Sequence, residues 1–225
     1  MKPPEMRMPE MNDAERLSEY LHSLDPCDDE YLENLREYAK VNDVPIVRRE
    51  TEHFLKTIIN IKKPENILEI GTAIGYSSIV MAKACDADIV TIENYEKRIP
   101  IALDNIRAAG FENRIDLRQN DAGAELKNLV GEGRSFDLVF LDAAKGQYLI
   151  WLPDIISLMR KDSVLIADNV LQERTVMESR FTIPRRERTT HERMREFLYL
   201  LMHDPALESS VLNVGDGVSL SVLKQ

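Results

Sequence analysis

Two apolar runs in this chain end in acid: Leu138-Val139-Phe140-Leu141-Asp142 and Val164-Leu165-Ile166-Ala167-Asp168-Asn169. Runs of this length and β-branched content read as buried parallel strands, and in open α/β sheets ligands bind beyond the strands' carboxyl ends. Asp142, Asp168 and Asn169 are therefore expected on one rim. Two carboxylates and an amide oxygen form a hard donor set. It suits Mg²⁺ or Mn²⁺, cations that bind through few protein ligands and leave positions for a chelating substrate. Helix capping explains an Asp or Asn after a strand one residue at a time. It does not explain an Asp-Asn pair beside a second strand's terminal Asp.

A second chemical signal precedes these. Glu69-Ile70-Gly71-Thr72-Ala73-Ile74-Gly75-Tyr76-Ser77-Ser78 reads as a strand, a tight turn and a helix start. Gly71 and Gly75 let the backbone turn and approach a ligand closely. Their spacing is neither Gly-x-Gly-x-x-Gly nor a P-loop, which argues against a dinucleotide or a triphosphate. A helix N-terminus carrying Ser77 and Ser78 can receive a carboxylate, and Glu69 can hold an amino group. Glu93 ends the next strand 22 residues after Gly71, near the spacing at which an acid bonds a ribose diol; Asp121-Ala122 follows the third strand, where an adenine edge would lie. Carboxylate pocket, amine partner, ribose acid and adenine acid together describe S-adenosylmethionine better than a phosphorylated cofactor.

The elements that must position these groups follow from periodicity. Asn12 or Asp13 can cap a first helix bearing Leu17, Tyr20, Leu21 and Leu24, with Pro26 as a stop. A second helix starts from Asp28 and carries Tyr31, Leu32, Leu35, Tyr38 and Ala39 up to Val44-Pro45-Ile46; a third carries Phe54, Leu55, Ile58 and Ile59. Strands are expected at 66–70, 88–93, 114–118, 136–142 and 163–168, and helices near 76–85, 95–109, 122–130 and 146–159. This alternation predicts a doubly wound, mostly parallel sheet with right-handed crossovers. A helix near 188–203 then precedes two runs, Val211 to Val214 and Val218 to Leu223. Gly215-Asp216-Gly217 joins them as a hairpin that adds antiparallel strands, for seven in all. The chain is read as one domain over 1–225: an N-terminal helical cap over 1–62 and a catalytic α/β core over 63–225.

With 225 residues, 44% hydrophobic and 30% charged, the composition is that of a soluble globular domain. Cys27 and Cys85 are the only cysteines, too few for a disulfide framework or a zinc cluster, and no apolar leader or membrane span is visible. A cytoplasmic protein is the expectation. The net charge of −10 is unevenly spread: residues 1–40 hold eleven acids and five bases, whereas 174–195 hold seven arginines against three glutamates. His22, His53, His191 and His203 have no ligand spacing.

Taken together, these residues resemble the class I methyltransferases, and within them the metal-dependent O-methyltransferases of the catechol and caffeoyl-coenzyme A type. The resemblance runs from Val44 to the end. It rests on Glu69-Ile-Gly-Thr-Ala-Ile-Gly-Tyr-Ser77, on Asp142-Ala-Ala-Lys145 with Tyr148, and on Asp168-Asn169-Val170. Gly146-Gln147-Tyr148, the arginine-rich stretch and Val214-Gly-Asp-Gly217 look most like the bacterial tRNA 5-hydroxyuridine methyltransferases. The resemblance implies a Rossmann-like fold, Mg²⁺ on Asp142, Asp168 and Asn169, and a homodimer. It also implies S-adenosylmethionine contacts from Ile46, Glu69, Gly71, Tyr76, Ser77, Glu93, Asp121, Ala122 and Asp142. Lys145 takes the place of the general base or of an electrostatic partner to the reacting oxygen; an ordinary solvated lysine at a helix start is the alternative.

The substrate turns on the arginines. Catechol offers two neighbouring phenolic oxygens, and 5-hydroxyuracil offers its 5-hydroxyl beside the 4-carbonyl, so one ligand trio serves either. Arg180, Arg185, Arg186 and Arg188 follow the fifth strand at the expected rim, where tRNA phosphates would need cations. The leading expectation is methylation of 5-hydroxyuridine at the tRNA wobble position to 5-methoxyuridine, with the anticodon loop as partner. A small-molecule catechol or caffeoyl-type methyltransferase is the first alternative, and a non-catalytic cofactor- or tRNA-binding protein the second.

Overall fold

A computed structural model describes residues 13–25 and 29–224. The Asn12 cap, the Pro26 stop, Asp28 and Cys27 fall outside those residues. Three helices lead: α1 (Asp13–Ser23), α2 (Glu30–Val41) and α3 (Arg49–Lys62). In α2 the Asp29 carboxylate accepts from the Leu32 amide at 3.1 Å, the side-chain cap that fixes where the helix begins.

The core then alternates: β1 (Asn66–Ile70), α4 (Tyr76–Ala84), β2 (Asp88–Glu93), α5 (Ile99–Ala108), β3 (Ile115–Gln119), α6 (Ala122–Gly131), β4 (Phe136–Leu141), α7 (Tyr148–Ser157), β5 (Met159–Ala167) and α8 (Arg188–His203). The chain closes with β6 (Leu207–Leu212) and β7 (Val218–Leu223). The seven strands are ordered β3-β2-β1-β4-β5-β7-β6, with β7 and β6 antiparallel and the rest parallel. The doubly wound, seven-stranded fold expected from the alternation is the observed one.

Strand alternation divides the core into two layers. Leu68, Ile70, Val139, Leu141 and Leu165 face Leu126, Trp151, Ile155 and Phe197 of α6, α7 and α8. Ile67, Leu138, Phe140, Val164 and Ile166 face the opposite layer, with Leu35 of α2, Leu55 and Ile59 of α3, Ile79 of α4 and Ile106 of α5. Thus α2 and α3 are structural members of one layer, and they bring the 44–48 connection to the sheet's carboxyl end.

Four boundaries differ from expectation. α5 begins at Ile99 rather than near 95, because residues 96–98 form a turn. β5 begins at Met159 rather than 163: Met159 pairs with Phe136, and a register shift follows before Val164 pairs with Leu138. The polar residues Arg160, Lys161 and Asp162 hid that start. β6 runs Leu207–Leu212 rather than 211–214, because an edge strand tolerates Glu208, Ser209 and Ser210 that an apolar-run reading passes over. The segment expected as one helix near 146–159 opens with a 3₁₀ turn, Lys145–Gln147, before α7. Among the described residues no helix is long and apolar enough to cross a membrane.

Candidate active site

The chain order reverses between β1 and β4, and a cavity of about 800 Å³ opens there at the strands' carboxyl ends. Backbone bonds continue past the strand ends and hold the rim in line. Gly71 N donates to Ile92 O at 3.0 Å, Asp142 N to Ile70 O at 3.0 Å, and Asp168 N to Leu141 O at 3.0 Å. Gly71 has φ +105°, and a Cβ there would lie 2.0 Å from the Asp142 carbonyl oxygen, so only glycine fits this crossing.

Of the residues expected to meet cofactor, Ile46, Gly71, Tyr76, Ser77, Glu93, Asp121, Ala122 and Asp142 line the cavity. Glu93 is fixed by amides: its Oε2 accepts from Ala73 N at 2.8 Å and its Oε1 from Asn94 N and Tyr95 N at 3.0 and 2.9 Å. Asp121 caps α6 through Ala124 N at 3.0 Å while still forming part of the wall.

Glu69 departs from expectation. It is fully buried and not part of the wall. In register it stands opposite Thr91 of β2, so both side chains project from the same face of the sheet, into the α4 layer. Its Oε2 accepts from Thr91 Oγ1 at 2.6 Å and from Ser78 Oγ, while Oε1 has no partner. Burial pushes its carboxyl up to about 7, against surrounding hydroxyls that pull it down.

At the other end stand the oxygen ligands. Asp142 and Asn169 line the cavity; Asp168 is 1% exposed and sits behind them. Neither Asp142 nor Asp168 caps a helix. Asp142 Oδ1 accepts from Lys145 Nζ at 2.7 Å, and Lys145 Nζ also donates to Tyr148 OH at 2.9 Å. Burial acts to lower the Lys145 ammonium, and Tyr148 and Asp142 more than reverse it, holding it above its ordinary value. Asp168 Oδ1 accepts from Asn169 N at 2.8 Å and from Thr51 Oγ1 at 3.3 Å; burial first, and the Asp142 charge second, raise it to about 6. Tyr148, fully buried, accepts from Ala143 N at 3.2 Å and lies 3.0 and 3.3 Å from the Leu141 and Asp168 carbonyls. One phenol therefore ties the ends of β4 and β5 together.

Sequence reading missed Arg48, Arg98 and Trp151, all in the wall. The indole nitrogen of Trp151 lies 3.0 Å from where a Gly123 Cβ would be, and Asp121 Oδ1 is 3.3 Å from the same point; the two are thirty residues apart in the chain, so only the packing of α7 beside α6 brings them together.

None of the four arginines expected at RNA lines this cavity. Arg180 pairs with Glu192 at 2.5 Å, Arg186 with Glu187 at 3.0 Å, and Arg188 Nε donates to Ile183 O at 3.0 Å. Arg185 has no polar partner among the described residues.

With fold and rim in hand, the chain is a member of the O-methyltransferase family, whose profile matches residues 21–224. It is 32% identical to the catechol O-methyltransferase of Niastella koreensis over 76% of this chain and 79% of that one. It is 30% identical to caffeoyl-CoA O-methyltransferase 1 of Eucalyptus globulus over 89% and 86%. An O-methyltransferase from Bacillus cereus, solved in complex with SAH, superimposes with a TM-score of 0.83 at 28% identity, covering 93% and 97%.

Proposed function

We propose that this protein transfers the methyl group of S-adenosylmethionine to one oxygen of a vicinal pair on a catechol-type small molecule, with a divalent cation at Asp142, Asp168 and Asn169. The observation that carries this reading is one cavity whose wall holds Glu93 and Asp121 after β2 and β3, the Gly71 turn in the middle, and Asp142 and Asn169 after β4 and β5.

The residues fit both absent groups. Gly75 begins α4 without a side-chain cap, leaving first-turn amides for a carboxylate. Glu93 presents a fixed acceptor for a diol, and Trp151 and Ala122 give apolar wall beside Asp121. Asp142 and Asp168 lie close enough for one to raise the other, a concentration of negative charge that a hard cation relieves. Among the described residues no group of three His, Cys, Asp or Glu stands ready for a metal; here the third donor is an amide. When bound, the cation lowers the pKa of a hydroxyl and orients its neighbour.

The chain's own residues do the rest. Asp142 and Asn169 position the two oxygens, Lys145 sets its ammonium beside the reacting edge, and Tyr148 keeps both strand ends in register. The catechol class rests on the relatives' named substrates. The test is turnover of 3,4-dihydroxybenzoate with S-adenosylmethionine and Mg²⁺. Activity is expected to vanish in EDTA and in Asp142→Ala; full activity in chelator removes the cation from the reaction.

A second reading, 5-hydroxyuridine of a tRNA anticodon loop, is favoured by one observation. Phe181 is 85% exposed in the same segment as the unpaired Arg185, and the catechol reading uses neither. Loop bases stack on such aromatics while guanidiniums meet phosphate. Mass spectrometry of tRNA nucleosides from a deletion strain separates the two: 5-methoxyuridine lost supports RNA, and 5-methoxyuridine retained leaves the small molecule. Homodimerisation belongs here too, with Leu17, Tyr20 and Leu21 of α1 and Leu24 in the turn after it exposed as a candidate contact face.

A further inference from the structure

Three cations line the cavity, and two of them are engaged. Lys145 is bonded to Asp142 and Tyr148, and the Arg98 guanidinium lies 5.2 Å from the Tyr95 ring centroid, in the same part of the wall as Asn94, Asn120 and Asp121. Arg48 is different. It lines the cavity with an exposed side chain, and its guanidinium has no hydrogen-bond, ion-pair or ring partner among the described residues.

Its place in the fold puts it at the oxygen-ligand end. Arg48 is the N-cap residue of α3, and one turn on, Thr51 Oγ1 donates to Asp168 Oδ1 at 3.3 Å. Gly215 of the β6–β7 turn packs over both. A Cβ there would lie 2.9 Å from Thr51 Oγ1 and 3.6 Å from Arg48 Cδ. The arginine stem is thus one hydroxyl away from Asp168, the carboxylate after β5, which the strand order separates from Glu93 after β2 and Asp121 after β3. A guanidinium with free donors beside a substrate cavity matches a planar anion, which it can hold by two parallel hydrogen bonds.

We infer that Arg48 selects substrates that carry an anionic group, a carboxylate on the catechol ring, in addition to the vicinal oxygens. This inference rests on the catechol reading. A phosphate of a 5-hydroxyuridine nucleotide has the same chemistry, and the experiment distinguishes the two sources.

The experiment compares an anionic substrate with its neutral isostere, 3,4-dihydroxybenzoate against 3,4-dihydroxybenzamide, and 5-hydroxyuridine 5′-monophosphate against the nucleoside. It uses the full chain with S-adenosylmethionine and Mg²⁺. Wild-type protein is expected to prefer the benzoate by about tenfold in kcat/KM, the worth of one charged hydrogen-bond pair. Arg48→Met is expected to erase that preference, and Arg48→Lys to keep part of it. Calorimetric Kd values for the benzoate in the presence of S-adenosylhomocysteine should move by the same factor, while the Kd for S-adenosylhomocysteine stays at the wild-type value.

Each other result overturns something definite. Turnover of both benzoyl compounds without discrimination, or discrimination unchanged in Arg48→Met, removes Arg48 as the selector and leaves the catechol reading standing. A weakened S-adenosylhomocysteine Kd in Arg48→Met reassigns the residue to the cofactor and overturns the inference. Discrimination confined to the nucleotide pair moves the anion to phosphate and refutes the carboxylate source. Turnover of no compound by wild-type protein refutes the catechol reading and this inference together.

Discussion

Asp142 is held at three points: its amide by Ile70 O, its carbonyl against Gly71, and its carboxylate by Lys145. A residue so fixed places its free oxygen within narrow limits, which suits a ligand and not a mobile surface acid. Glu69 is the contrasting acid, buried without a cation. A carboxyl whose folded pKa, about 7, exceeds its ordinary 4.5 stabilises the fold while protonated. That contribution is complete below pH 4.5 and is lost as pH rises through 7. Glu69→Gln removes the titration while keeping the shape. Its Tm relative to wild type is expected to climb by several degrees between pH 4.5 and 8, at about 2–4 °C per kcal/mol for this chain length. A difference that stays flat with pH means that Glu69 does not titrate as a buried acid.

At the scale of elements, the β6–β7 turn acts as a brace for the Asn169 segment. Val170 N donates to Gly217 O at 2.9 Å, Leu171 N to Asp216 O at 3.1 Å, and Glu173 N to Asp216 Oδ1 at 2.5 Å. The braced segment needs it, because Asn169, Gln172, Glu173 and Arg174 all have positive φ, a costly backbone for residues with side chains. Gly217 has φ +86°, and a Cβ there would stand 2.2 Å from Leu171 Cγ. Gly217→Ala is therefore expected to lower Tm by the equivalent of roughly 1–3 kcal/mol. Because Leu171 follows Asn169 by two residues, the same change should weaken Mg²⁺ binding measured by calorimetry. A variant with wild-type Tm and Mg²⁺ affinity would show that the turn carries no constraint.

For the whole molecule, charge decides which polyanion can approach. With 39 acids against 29 bases the chain repels nucleic acid except where 174–195 is locally basic. Ion pairs occupy Arg180 and Arg186, which leaves Arg174 and Arg185 as exposed arginines without a side-chain partner among the described residues. If tRNA is the substrate, Arg185→Ala with Arg186→Ala should weaken its binding and reduce the slope of log K against log salt by about 1–2. An unchanged slope excludes this segment as an RNA surface. The α1 face is checked by sedimentation equilibrium: Leu24→Asp is expected to shift a dimer toward monomer, and a wild-type monomer would leave that face without a role.

The sequence by itself determined the order of strands and helices, the acid-tipped ends of β4 and β5, and the glycine turn after β1. Each is a local signal: period-2 and period-3.6 apolar patterns, and residues whose positions at strand ends follow from chain order. The starts of β5 and β6 were not legible, because Arg160 to Asp162 are polar residues in the register shift after the Met159–Phe136 pair, and Glu208 to Ser210 are polar residues held in the edge strand by ladder partners in β7. Tertiary structure alone decided which acids face the cavity. Glu69 and Glu93 are both strand acids, yet Glu69 stands one residue short of the end of β1 and is buried against Thr91 and Ser78, while Glu93 is the last residue of β2 and lines the cavity. It also decided which cations are spent: the arginine-rich stretch is partly consumed by its own glutamates, and Arg48, unremarkable in sequence, reaches the cavity unpaired because α3 and the β6–β7 turn bring it there.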